Sequence, residues 1–464
     1  MAMHESDGRA EREAADQVRY LEVEQSLLAR WPESMIDPDL SRIAAVMELL
    51  GDPQRAYPVI HLAGTNGKTS TARMIESLLR SFGLATGMFT SPHLHSMRER
   101  IQFGGDPVDT ARFLAAYDDI EPYLNIVDER SVAAGGPPLS YFEAITAIAF
   151  AAFADAPVDV AVIETGMGGR WDSTNVADGQ VAVITPVDLD HQAYLGDAVE
   201  QIAGEKAGII KPGAQVVLAE QQAAAAEVLW ARVEEVGAHV VREGAQFGVS
   251  QRVLAVGGQV LSIQGLGGTY DDLFLPLFGG HQARNAAVAL AAVESFLGGG
   301  AQLLDIELVR AGFAGSTSPG RLEIVRRAPT VVVDAAHNPH GARALVEAVR
   351  DSFDFTYLVG VLAVLRDKDV RGLLEALEPL LSQVVVTSNS NPRSMAADEL
   401  GAVAVEVFGS DRVEVELRFP EAMETAIQRA DEAAAELGGG AGVLVTGSVV
   451  TAADGRLLFS KVSS

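Results

Sequence analysis

The run Tyr57-Pro-Val-Ile-His-Leu-Ala-Gly64-Thr65-Asn66-Gly67-Lys68-Thr69-Ser70 sets an apolar stretch directly before two glycines and a helical pattern. An apolar strand that turns at once into a helix must lay that helix on a sheet, so this run commits the chain to an α/β architecture. The turn also has the makings of a phosphate cradle. Small residues let backbone N–H groups face an oxyanion, the following helix adds its N-terminal dipole, Lys68 brings charge, and Thr69 or Ser70 offers a hydroxyl for Mg²⁺. Met74, Ile75, Leu78, Leu79 and Phe82 recur at helical spacing, and Gly83 is placed to end the helix. The full phosphate-loop pattern would have a glycine where Leu62 stands, so the match is incomplete; ATP is still the first ligand expected.

Beyond this run, strands and helices alternate. Amphipathic helices are expected around Val18 to Leu28 and Leu40 to Leu50, and strands at Val59–Ala63, Val158–Glu164, Val181–Pro186 and Val216–Ala219. This is the pattern of a mainly parallel sheet covered by helices, in which ligands gather at the carboxyl ends of strands. Val240 to Phe278 reads differently, as short alternating runs broken by Gly257-Gly258 and Gly267-Gly268, hence as antiparallel strands appended to the first domain. A helix from Gln282 to Leu297 follows, ended by Gly298-Gly-Gly300. Gly, Ser, Thr and Pro concentrate between Gly312 and Gly320, which divides the chain into domains 1–315 and 320–464. Past it, strands at Thr330–Asp334, Tyr357–Gly360, Val384–Thr387 and Val443–Thr446 alternate with helices in a smaller α/β domain.

A length of 464 residues exceeds one ordinary core, and 48% hydrophobic with 21% charged residues fits a soluble globular chain. The balance of 35 Lys and Arg against 63 Asp and Glu gives a net charge of −28, which repels phosphate polymers and anionic lipid. Nucleic acid and membranes are therefore not expected partners, and anionic substrates need a local cluster of cations. With no cysteine, thiolate catalysis, disulfides and cysteine metal sites are excluded together. The first residues lack a signal-peptide core and no segment gives about 18 unbroken apolar residues, so a cytoplasmic protein is expected.

Other segments carry candidate chemistry. Val158 to Ile163 delivers Glu164 to a strand end, followed by Thr165-Gly-Met-Gly-Gly-Arg170-Trp171-Asp172; a carboxylate there can hold Mg²⁺ against a bound nucleotide. Val181 to Thr185 leads to Asp188-Leu-Asp190-His191 at the same sheet edge. Arg170 and Trp171 suit a planar acidic substrate. Lys206 has small and apolar neighbours on its C-terminal side; burial lowers a lysine pKa, and the neutral amine can react with carbon dioxide. Taken singly, Lys206 reads more simply as a surface lysine, His191 as a structural loop histidine, and Arg321 and the Asp334-to-Pro339 segment as surface charge or helix cap.

Taken in order, the segments resemble bacterial folylpolyglutamate synthase and dihydrofolate synthase, of the wider Mur ligase group. The likeness rests on GTNGKTS (Gly64 to Ser70), TSPHL (Thr90 to Leu94), LSYFEA (Leu139 to Ala144), ETGMGGRWDSTN (Glu164 to Asn175), DH (Asp190, His191), GEKAGIIKPG (Gly204 to Gly213), HQARNAA (His281 to Ala287), PGR (Pro319 to Arg321) and DAAHNP (Asp334 to Pro339). It implies a Mur-ligase-like fold: an N-terminal P-loop ATPase domain with a small antiparallel subdomain, and a smaller C-terminal Rossmann-like domain. By the same resemblance Gly64, Thr65, Asn66, Gly67, Lys68, Thr69, Ser70, Asn285, Arg321 and Asp334 contact ATP, and Ser91, Glu164 and His191 serve Mg²⁺. Two metal ions are implied, with a monovalent cation. Lys206 falls on the family's carbamylated lysine, and Lys68 and His337 on groups beside the transferred phosphate. Leu139, Ser140, Tyr141, Phe142, Trp171, Asp172 and Ser173 lie at the pterin end. The sequence departs from the family at Ala335, usually glycine, and after Thr446-Gly-Ser448, which continues Val-Val-Thr-Ala-Ala-Asp454 without the usual aromatic.

The implied activity is ATP-dependent addition of L-glutamate to folates and to dihydropteroate through an acyl phosphate, by a monomer. Two alternatives stand beside it. A cell-wall peptide ligase of the Mur type would carry a further N-terminal domain, for which the residues before Tyr57 are few. A regulatory P-loop NTPase would turn over ATP without an amino-acid acceptor.

Overall fold

The computed structural model describes residues 2–32 and 37–460, with side chains from 12 to 459 within those limits. The chain forms two compact units. One comprises Met1–Gly248, Ile263–Asp271 and Asn285–Gly315, the other Val249–Ser262, Asp272–Arg284 and Ser316–Ser464.

The first unit is built on an eight-stranded sheet in the order Asp106–Pro107, Ile101–Phe103, Thr86–Phe89, Val160–Glu164, Val59–Ala63, Val181–Ile184, Gln215–Leu218, His239–Arg242. From Thr86–Phe89 onward all neighbours are parallel, while the two strands at the other edge pair antiparallel. The central strands Val59–Ala63 and Val160–Glu164 are buried at every residue, which is why they read as unbroken apolar runs rather than alternations. One face is covered in two parts: helices Ser41–Leu49, Thr110–Ala133 and Tyr141–Asp155 pack around Ile43, Phe113, Ile145 and Phe150 over Ala161 and Ile163, and Val199–Lys206 and Ala223–Val236 pack around Ile202 and Leu229 over Ala182, Ile184 and Val216, strand residues that the register puts on the same side. Helix Lys68–Ser81 buries Met74, Ile75, Leu78 and Leu79, as its spacing predicts. Gly312 of helix Ile306–Ala314 comes close to it, and the Ser77 hydroxyl donates to Gly312 O at 2.7 Å.

Two strand readings need correction. His239–Arg242, expected among antiparallel strands, is the parallel edge of the large sheet and pairs with Gln215–Leu218. Thr86–Phe89 was not anticipated; its Gly87 faces Phe153, with 2.7 Å between an added Cβ and the ring. Gly248–Ala255, Gly258–Gln264 and Thr269–Leu275 form a three-stranded sheet, linked by connections too short for parallel crossovers. Segments of this sheet fall in both units.

The second unit holds a six-stranded sheet, in the order Glu323–Arg327, Thr330–Val333, Ala441–Thr446, Tyr357–Leu362, Gln383–Val386, Val413–Val415, parallel except at the first pair. Helices Pro339–Ser352, Val370–Leu377 and Ala397–Phe408 pack on one face, Phe419–Leu437 and Val449–Ser460 on the other. Among the described residues, no helix is long and apolar enough to cross a membrane.

Candidate active site

The turn Gly64–Gly67 leaves the strand Val59–Ala63 and enters the helix at Lys68. Leu62 lies inside the strand, in register with Glu164 and Val183, so the strand runs to Ala63 and the cradle opens only at Gly64. Gly64 has φ +151° and an added Cβ would run into Thr185; Gly67, at φ +88°, caps the helix with Asn285 Oδ1 2.8 Å from its would-be Cβ. Only glycine takes both places without strain. Thr65 locks the turn to the next strand end: its hydroxyl donates to Asp188 O at 2.9 Å and accepts from Asp188 N at 3.0 Å. The Lys68 ammonium donates to Gly64 O and Thr65 O at 2.9 and 3.3 Å, which holds the charge over the loop.

Glu164 ends the neighbouring strand with its side chain buried. Its carboxylate accepts the Thr69 hydroxyl at 2.9 and 3.0 Å and the Ser91 backbone N–H at 3.3 Å. Thr69, Ser91 and Glu164, distant in sequence, thus meet at the loop mouth. His191 enters the short helix Gln192–Leu195 in the left-handed region, its N–H donating to Asp190 at 2.8 Å and its ring 3.9 Å from the same carboxylate. No group of three or more His, Cys, Asp or Glu able to hold a metal ion occurs among the described residues. The oxygen-rich set fits Mg²⁺, which takes few protein ligands and completes its shell with phosphate oxygens and water.

Lys206 ends helix Val199–Lys206 and is 4% exposed, which overturns its reading as a surface lysine. Burial, and then the nearby Lys68 charge, push its pKa down to about 7 against the pull of Asp190, Asp172 and Glu205. The glycine-rich turn packs on this helix end: the would-be Cβ of Gly169 lies 2.9 Å from Lys206 Cα, and Arg170 N donates to Glu205 O at 2.8 Å.

At the proposed pterin end, the segment divides by burial. Leu139 lies in the core, Tyr141 is buried under the Arg100 guanidinium, and Ser140 caps its helix in a reciprocal box with Glu143; Phe142 is the part-open side chain, 2.5 Å from the would-be Cβ of Gly166. Trp171 is half-buried and Ser173 buried. Asp172 is fully enclosed and gives its carboxylate to the turn, accepting Met167 N at 2.8 Å and Thr174 N at 3.0 Å. Burial raises its pKa. Two residues escaped sequence reasoning: Arg42, which pairs with Glu143 behind the cap, and Thr174, which bonds Asp172.

In the second unit, Asp334 is buried, accepts Leu322 N and Ala336 N, both at 2.8 Å, and has its pKa raised by burial against the pull of Arg321. The Arg321 guanidinium donates to Gly320 O at 3.2 Å, and His337 Nδ1 is 3.0 Å from Ala335 O. The departures are absorbed. Ala335 is buried with its N–H on Gly320 O, and Thr451 and Asp454 hold the Asn389-Ser390 turn.

This glycine cradle on a parallel sheet, with a second α/β unit, is the arrangement of a Mur ligase. Residues 62–293 match the Mur ligase middle domain and 320–449 the Mur ligase glutamate ligase domain. Dihydrofolate synthase/folylpolyglutamate synthase of Mycobacterium tuberculosis is 53% identical over 95% of this chain and 94% of its own. The folylpolyglutamate synthase of that organism complexed with ADP aligns with TM-score 0.91 and 52% identity over 96% of this chain and 99% of its own. An FPGS complex with AMPPCP and folate aligns at TM-score 0.82, 31% identity, 95% and 99% coverage. The chain belongs to the dihydrofolate synthase/folylpolyglutamate synthase family and is an ATP-dependent ligase.

Proposed function

We propose that the chain joins L-glutamate to reduced folates and to dihydropteroate through an acyl phosphate. The observation that carries this reading is the convergence of the Thr69 hydroxyl and Ser91 amide on the Glu164 carboxylate at the mouth of the Gly64–Gly67 cradle. The FPGS relative complexed with AMPPCP and folate supports the choice of substrates.

Joining a carboxylate to an amine is uphill in water because hydroxide is a poor leaving group. The acceptor carboxylate attacks the γ-phosphoryl group of ATP, ADP leaves, and the glutamate amine displaces phosphate through a tetrahedral intermediate. Backbone N–H groups of Gly64 to Ser70 hold the phosphates, and Lys68 neutralises charge that develops during transfer. Mg²⁺, two ions in this reading, would be held by Glu164, Ser91 and His191 and would screen the phosphate oxygens. The Lys206 amine, neutral above about pH 7, adds to carbon dioxide with loss of a proton, which makes a carbamate that supplies a further carboxylate. Asn285, Arg321 and Asp334 are assigned to ATP, His337 to the transferred phosphate, and Phe142, Trp171 and their neighbours to the pterin. A monovalent cation, a monomeric state and a cytoplasmic location complete the reading.

The test is direct. The protein is incubated with ATP, Mg²⁺, glutamate and either dihydropteroate or tetrahydrofolate; an amide product with stoichiometric ADP is expected, and ADP without amide would refute the reading.

A further inference from the structure

His61 occupies the middle of the strand Val59–Ala63, opposite Ile163 and Ala182, and is 0% exposed. A polar ring at that place is costly unless its hydrogen bonds are made. Its Nε2 lies 2.8 Å from Thr174 Oγ1, and its Nδ1 is buried without a partner. Thr174 Oγ1 is in turn 2.5 Å from Asp172 Oδ1.

The directions of these bonds follow from what each group can do. Both oxygens of Asp172 already accept backbone N–H groups, from Thr174 and Met167, as an ionised carboxylate does. Such a carboxylate only accepts, so the single Thr174 hydroxyl proton points to it. The hydroxyl oxygen must then accept from His61, which places the ring proton on Nε2 and leaves a bare Nδ1. Burial, with Lys211 behind it, pushes the His61 pKa down to about 3, so the ring stays neutral.

We infer that His61 is a positioning residue for the acceptor end of the reaction: through Thr174 it orients the Asp172 carboxylate that closes the turn from Gly166 to Ser173. The inference rests on the assignment of the pterin to that turn. Met167 and Thr174 are tied to one carboxylate, so the residues between them move as a closed loop. That loop presents Trp171, leaves Gly166 against Phe142, and lies on the backbone of Glu205 and Lys206. The ATP cradle is fixed separately, by Thr65 on Asp188 and Lys68 on Gly64. Loss of the His61 proton donor therefore falls on the acceptor.

Steady-state kinetics on H61Q, H61N and H61L, with T174S and T174V, test this. Glutamine can place an amide N–H near the Nε2 position; asparagine falls short and leucine has none. H61N, H61L and T174V are expected to raise the acceptor KM about tenfold while the KM for ATP stays within about twofold, and H61Q and T174S to remain close to wild type. Nitrogen chemical shifts of His61 in the full chain should report the neutral Nε2–H tautomer from about pH 5 to 8. An Nδ1–H tautomer, an unchanged acceptor KM in folded T174V, or acceptor and ATP KM rising together would each overturn the inference. Should H61L fail to fold, the two Thr174 variants and the tautomer decide. Failure of the wild type to use either acceptor would refute the functional assignment, and the tautomer would still judge the hydrogen-bond chain by itself.

Discussion

Burial of Lys206 costs the fold stability near neutral pH, and the proposed carbamate would draw its chemistry from the same burial. Its pKa of about 7, against 10.5 for an unperturbed lysine, has burial as its first cause and Lys68 as its second. Because the folded pKa lies below the unfolded one, the unfolded chain binds the proton first as pH falls from 10.5. The folded state is thus penalised progressively down to about pH 7 and fully below it. K206M is expected to raise Tm at pH 7 and leave it unchanged above about pH 11, while activity falls about 10–100-fold, as when a metal-organising group is lost. Calorimetry across that pH range, beside turnover at fixed bicarbonate, checks both. For the wild type, kcat/KM should rise with pH through about 7 as the amine becomes neutral. An acid-independent profile would remove this lysine from the chemistry. The small and apolar residues after Lys206 made such burial conceivable from the sequence. The turn that lies against its backbone, at Gly169 and Arg170 before the strand Val181–Ile184, could not be read there.

At the scale of elements, what the sequence made legible was whatever carried a periodic signal. Val59–Ala63 and Val160–Glu164 are buried on both faces and read as apolar runs; helix Lys68–Ser81 shows its stripe and its glycine stop. Thr86–Phe89 escaped because four residues containing a glycine have no pattern to show, and His239–Arg242 because four part-exposed edge residues carry no buried-strand run and lie directly before the short strands of the antiparallel segment. The tie between helices Ser41–Leu49 and Tyr141–Asp155 was equally hidden. Arg42 Nε donates to Glu143 at 3.0 Å across 101 residues of sequence, and Nη1 pairs with Asp37 at 2.7 Å. Glu143 also accepts Ser140 N at 2.7 Å, so the pair stands directly behind the cap of the proposed pterin segment. Removing the arginine would strand a buried carboxylate. R42M is expected to cost about 3 kcal/mol, and R42M/E143L to recover much of that loss, since well-packed apolar pairs replace buried ion pairs at little expense. Urea denaturation of the two variants makes the comparison. Equal losses would show that packing, and not the unpaired charge, sets the cost.

The whole molecule carries a net charge of −28, while ATP, glutamate and the proposed pterin acceptors are all anions. In the proposed function the cations that would receive them are local: Lys68, which donates to Gly64 O at the cradle, and, in the second unit, Arg321, which donates to Gly320 O. Which field an approaching anion feels is a matter of range. At about 0.01 M salt the screening length is about 30 Å and the acidic body acts over the whole approach; at about 0.15 M it is about 8 Å, and only nearby charges count. Long-range repulsion should therefore be screened before the short-range attraction is. The expected result is a kcat/KM for ATP that rises about two- to tenfold between those salt concentrations and then falls as the local cations are screened as well. Initial rates at saturating glutamate and acceptor, with a salt series of monovalent ions, measure it. A monotonic fall from the lowest salt would mean that the cationic cradle already governs encounter at long range, and that the acidic surface has no part in admitting substrate.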